Sequence, residues 1–117
     1  MQPIDIANTY YDAFRNRTDF SEVPLSSGLV FRGPSGALEG AAPFRGVVSG
    51  LARQLRGIAV RHQLAEADRV ITVYDFDLGL PDGPIPMAEV LEIAGGEIAG
   101  IELLFDSRRL APAGGEA

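Results

Sequence analysis

The reactive residues of this chain leave proton transfer as its most accessible chemistry. Its 117 residues contain no Cys and no Lys, and all ten basic residues are Arg. Thiolate catalysis, disulfides and Cys-ligated zinc are therefore excluded. So are Schiff-base lysines and the lysine of a phosphate-binding loop. His62 is the single His, so a two-histidine metal site would need a second copy of the chain. No Gly-x-Ser-x-Gly string is present, which weakens a serine triad. Carboxylates, tyrosines and His62 remain as acid–base groups. Asp75 and Asp77 have the spacing of a metal pair, but hard cations need more than two oxygen ligands. A solvated strand face is the expectation there, with no metal and no cofactor.

Each candidate belongs to a recognisable element. His62 alternates with Ile58, Val60 and Leu64 along a strand, where a neutral imidazole could accept a proton near pH 7. Strand parity alone does not say whether that face lines a pocket or lies outside. Tyr74 shares a face with Phe76 and Leu78; it is either a pocket donor or an interface aromatic. Glu89 shares a face with Met87, Leu91 and Ile93, although a one-residue slip would turn it to the surface. Tyr11 stands in a helical stripe with Ile4, Ala7 and Phe14, with Ile6 and Tyr10 alongside. Arg32 is expected to point outward, and Asp106 to pair with Arg108 or Arg109 at the surface.

The first half of the chain reads as helices around one short hairpin. Pro3 and Asp5 suit the first turn of a helix. Thr18 or Asp19 could cap a short second helix ended by Pro24. Leu29-Val30-Phe31 reads as a short strand and Gly33-Pro34-Ser35-Gly36 as a turn. Pro43 opens a third helix with Phe44, Val47, Val48, Leu51 and Leu55 on one face. The second half, Ile58 to Asp106, is a run of long strands broken at Ala67-Asp68, Leu80 to Pro84 and Gly95-Gly96. Such a meander, laid against helices, predicts a curved sheet with a hollow on one face. The expected domain is 1–109, followed by a flexible tail at 110–117.

With 46% hydrophobic and 22% charged residues, the composition is that of one globular domain. A net charge of −6 argues against nucleic acid as a partner. No membrane span or signal peptide is legible, so a cytoplasmic location is the default expectation.

The order of elements resembles the nuclear transport factor 2-like superfamily, in the branch of ketosteroid isomerases and SnoaL-like polyketide cyclases. Three pieces carry the resemblance: Tyr11 to Phe20; Phe31-Arg32-Gly33-Pro34-Ser35-Gly36 with Gly40 and Phe44; and Gly96 to Asp106. The resemblance implies an α+β fold: a cone-shaped, curved antiparallel or mixed sheet, barrel-like, with three helices on the concave face. It also implies a homodimer packed through the sheet and an apolar pocket. Tyr11 then falls at the place of the isomerases' enolate-binding Tyr. Glu89 falls near their neutral, hydrogen-bond-donating Asp, a carboxylic acid kept protonated by its apolar surroundings. The isomerase base precedes the hairpin Pro, where this chain has Gly33. Steroid isomerisation is therefore not expected, and His62 is the candidate for another base. The expected apolar ligand would touch Phe14, Phe31, Leu51, Leu55, Tyr74, Leu91, Leu103 and Phe105. Three roles stay open: an acid–base enzyme acting on an apolar compound (isomerisation, cyclisation or epoxide hydrolysis), a non-catalytic binder, and a dimerisation or interaction module.

Overall fold

A computed structural model describes residues 1–110. Helix α1 (Pro3–Arg15) begins where the Gln2 backbone N–H donates to the Asp5 carboxylate at 3.0 Å. It buries Ile6, Ala7, Tyr10, Tyr11, Ala13 and Phe14, an arc wide enough to hold two adjacent tyrosines. Strands β1 (Leu25–Gly33) and β2 (Gly36–Glu39) form a hairpin with Pro34-Ser35 at its tip. Helix α2 (Ala41–Gln54) follows Gly40, whose φ of 103° suits a residue without a side chain. Strands β3 (Gly57–Glu66), β4 (Arg69–Asp77), β5 (Ile85–Ala94) and β6 (Glu97–Leu104) then make an antiparallel meander. A short 3-10 turn covers Ser107–Leu110.

The six strands form one sheet in the order β2-β1-β6-β5-β4-β3. β1 runs parallel to β6, and every other pairing is antiparallel, so the sheet is mixed. Helix α1 packs over β3 and β4, and α2 over β1 and β2. Both helices lie on the same inner face, where Val70, Thr72, Tyr74 and Phe76 of β4 and Ile85, Met87, Glu89, Leu91 and Ile93 of β5 are buried. The intervening residues, such as Ile71 and Glu92, are exposed on the outer face.

Two expectations are corrected. The sheet is open, with β2 and β3 as free edges, and is not a closed barrel. There are two α-helices among the described residues, not three. Where a short helix was expected, Thr18 Oγ accepts from the Phe20 N–H at 3.1 Å and Asp19 from the Ser21 N–H at 3.0 Å. These local bonds compete with helical ones, and Phe20 takes φ 65°. The Arg45 guanidinium fixes the result by donating to the carbonyls of Phe20 and Val23 at 3.1 and 2.9 Å. That seats Phe20 fully buried against Phe14, ring centres 4.8 Å apart. The expected flexible tail at 110–117 lies, from residue 111 onward, outside the described residues.

Candidate functional site

One carboxyl group sits where the helices meet the sheet. Glu89 is 1% exposed, in the middle of β5, and faces inward. Three phenols converge on it. Tyr10 donates to Oε2 at 2.9 Å, Tyr11 to Oε1 at 3.1 Å and Tyr74 to Oε1 at 2.9 Å. Two come from successive positions of α1 and one from β4. Their rings brace one another, with centres 5.1 Å apart for Tyr10–Tyr11 and 5.3 Å for Tyr11–Tyr74.

A polar row across the sheet supports this cluster. Register places Gln63, Thr72, Glu89 and Leu103 side by side on β3, β4, β5 and β6. The Gln63 amide donates to Thr72 Oγ at 3.2 Å, and Thr72 in turn acts on Tyr11, opposing the rise that burial imposes on that phenol. A polar path therefore leads from Gln63 through Thr72 toward Tyr11, which donates to Glu89. No buried side-chain N or O among the described residues lacks a partner.

The electrostatics follow from two opposed effects. Burial disfavours the ionised carboxyl and pushes Glu89 up to about 7. The bonds from Tyr74, Tyr10 and Tyr11 favour the carboxylate and limit that rise. The same burial, and the neighbouring carboxylate, raise all three tyrosines well above their ordinary value, so they stay protonated. Glu89 is thus the one group of the cluster that exchanges its proton near neutral pH.

Beside the carboxyl lies a hollow of about 350 Å³, a size suited to a small ligand. Helix α1 contributes Tyr10 and Phe14, α2 contributes Phe44, Val47, Val48 and Leu51, and the β1–β2 turn forms the rim. Tyr74, Phe76, Met87, Glu89, Leu103, Phe105 and Leu110 complete it. Among the described residues, no Arg, His or Asp lines it. Gly33 is part of the wall; a Cβ there would stand 3.2 Å from the Phe31 ring. The position where the isomerases carry their base thus has little room for a side chain.

Of the residues singled out from sequence, Glu89, Phe14, Phe31, Leu51, Tyr74, Leu103 and Phe105 line the hollow. Tyr11 reaches Glu89 but stands behind it, outside the lining. Leu55 and Leu91 are corrected from lining to core: Leu55 caps α2, and Leu91 is fully buried between Val70 and Ile101. His62 is also corrected. A β-bulge at Arg61 interrupts the pairing between Val60↔Tyr74 and His62↔Val73. Beyond it the parity reverses, so Gln63 faces inward with Thr72, while exposed His62 shares the outer face with Val73. Exposed Arg32 lies on that outer face too. Asp106 accepts from the Arg108 guanidinium at 2.9 and 2.8 Å at the surface. Among the described residues, no three His, Cys, Asp or Glu side chains are grouped to hold a metal.

Tyr10, Thr72 and Gln63 were missed as site residues. Tyr10 was legible as i+4 from Ile6 and i−4 from Phe14, which puts it on the buried arc. Gln63 was not legible, because a bulge leaves no mark in a periodic pattern.

Comparisons with known proteins come from structure. No family model matches the chain, and no curated protein matches it. A protein of Kribbella flavida is 30% identical, with a TM-score of 0.81 over 91% of this chain and 88% of that one. An NTF2-like protein of unknown function from Cytophaga hutchinsonii is 20% identical, with a TM-score of 0.82 over 94% and 95%. A candidate polyketide cyclase from Sinorhizobium meliloti is 18% identical, with a TM-score of 0.73 over 88% and 99%.

Proposed function

Because the chain belongs to the nuclear transport factor 2-like superfamily, we propose that its hollow is a small-molecule pocket with Glu89 as the working group. In this reading the protein is of the SnoaL-like, isomerase-like type and performs one-carboxyl acid–base chemistry on an apolar compound. The observation that carries it is the inward-facing Glu89, bonded by three phenols beside an apolar cavity and balanced near neutral pH. A group half-protonated at working pH is a competent base and a competent acid. With no second base in the lining, Glu89 both removes and returns the proton. Oε2 is the reacting atom, since Oε1 already accepts two hydrogen bonds and Oε2 only one. Tyr11 holds the carboxyl in place from behind.

A homodimer through the outer face belongs to the same reading. Leu64, Ile71 and Leu104 stand exposed there, an apolar surface suited to a second copy. Sedimentation would show a dimer that Ile71→Asp separates.

Two probes test the pocket and its chemistry. The uncharged fluorophore N-phenylnaphthylamine is expected to bind with an affinity that changes through about pH 7, and Glu89→Gln to flatten that profile. In deuterated water, exchange of the α-protons of tetralone is expected to accelerate with the native protein and not with Glu89→Gln. Binding without exchange would leave a non-catalytic binder. Binding with no pH dependence would remove Glu89 from its role.

A further inference from the structure

The hollow presents a buried acid with no counter-charge. Glutamate is almost never fully buried unless paired. Yet none of the ion pairs among the described residues includes Glu89; all four lie at the surface. The groups facing it are Tyr10 and Tyr11 from α1 and Tyr74 from β4, with Thr72 and Gln63 behind. Helix α2 and strands β1, β2 and β6 bring no charged side chain to the lining.

An inventory of protons narrows what can dock there. All three phenol hydrogens are already donated to Glu89. When Glu89 is ionised, its polar offer to the hollow is a free acceptor position on Oε2. A ligand complementing that position must bring a donor, and a positive charge would supply the missing partner. The walls suit such a charge. Tyr10, Phe14, Phe31, Phe44, Tyr74 and Phe76 are aromatic, and ring faces attract cations. A net charge of −6 draws cations and repels anions at long range.

We propose that the hollow takes an apolar molecule bearing one protonated amine, whose N–H donates to Glu89 Oε2 while its hydrocarbon part lies among the aromatic side chains. This rests on reading the hollow as a small-molecule pocket, but not on any catalysis there.

Three probes of one shape class test it: benzyldimethylamine, its uncharged isostere isobutylbenzene, and the anion phenylacetate. At about pH 8, where the carboxyl is mostly ionised and the amine still charged, the amine is expected to bind at least ten-fold more tightly than isobutylbenzene. Phenylacetate should bind more weakly than either. Lowering the pH to about 6 should erode the amine's advantage as Glu89 takes up its own proton. Glu89→Gln should abolish the preference while leaving isobutylbenzene bound. The pH profile of the native protein needs no variant, so the test survives if Glu89→Gln fails to fold. Equal affinity for amine and hydrocarbon in the native protein, or a preference unchanged between the two pH values, overturns the amine assignment and leaves the pocket standing. Failure of all three to bind overturns both.

Discussion

The two faces of the sheet are built from the same strands and do opposite things. On the inner face every buried side-chain N or O of the described residues has a partner, and apolar side chains interlock under two helices. On the outer face Leu64, Ile71 and Leu104 stand in solvent beside thinly spread ion pairs such as Arg69–Glu92. One face is therefore a core with a site set into it, and the other is a surface awaiting a neighbour. The contrast shows that period-two alternation allocates residues to faces, while the helices decide which face becomes the interior.

Truncation should separate the faces most strongly. Phe14→Ala removes a buried ring that touches Tyr10, Phe20 and Phe76 and is expected to cost about 3–5 kcal/mol. Leu64→Ala, at 70% exposure, should change the stability of the monomer by no more than about 0.5 kcal/mol. Urea unfolding of both variants gives the comparison directly. Similar losses would mean that the outer face is not free in solution.

Next in size is the pH dependence that Glu89 imposes. Its carboxyl is pushed up to about 7 in the folded chain from 4.5 when free. Below about pH 4.5 it is protonated in both states and contributes no pH dependence. As pH rises from there to about 7, the unfolded chain releases the proton while the folded chain keeps it, so stability falls. The loss is complete above about 7 and amounts to about 3 kcal/mol. Glu89→Gln should remove this decline, seen as a flatter melting temperature between about pH 5 and pH 8.

Removing the phenols should move the midpoint of Glu89 itself. Each donates to the carboxylate, so each substitution by Phe raises the midpoint, by about one to two pH units at most. Tyr74→Phe should raise it most, followed by Tyr10→Phe and then Tyr11→Phe, the order in which their bonds stabilise the charge. Carboxyl-carbon NMR titration reads this out. A fall in any of the three would mean that the phenols are not donors.

Much of this site was legible in the sequence, and what was not has a physical reason. The elements from β4 to β6 keep strict enough alternation that Tyr74, Glu89, Leu91 and Leu103 all emerge on one side. Tyr11 and Glu89 were expected together and stand 3.1 Å apart. The failures sit where local geometry overrides periodicity. Residues 18–23 had helix-capping types, but those side chains closed turns instead. The hairpin strand read from Leu29 to Phe31 extends to nine residues because pairing with β6 prolongs it, and propensity alone does not reveal a partner 70 residues away. Leu55 has helical phase with Leu51 yet falls just past the end of α2, where the chain turns down into the core.

The bulge at Arg61 offers the smallest and most selective test. His62 and Gln63 are strand neighbours and so lie on opposite faces; the extra place that Arg61 takes in β3, unmatched in β4, decides that Gln63 is the one turned inward. His62 has no route to the carboxyl, so His62→Ala should leave the Glu89 midpoint where it is. Gln63 acts through Thr72 and Tyr11, so Gln63→Leu should raise the midpoint by about a few tenths of a pH unit, the scale of cooperative polarisation along two hydroxyls. Thr72→Val should match that change and Thr72→Ser should not, since Ser keeps the hydroxyl. Were His62→Ala to shift the midpoint and Gln63→Leu to leave it alone, the parity of β3 would have to be reversed. The imidazole would then return to the interior, and the inner face would gain the second base that its lining now lacks.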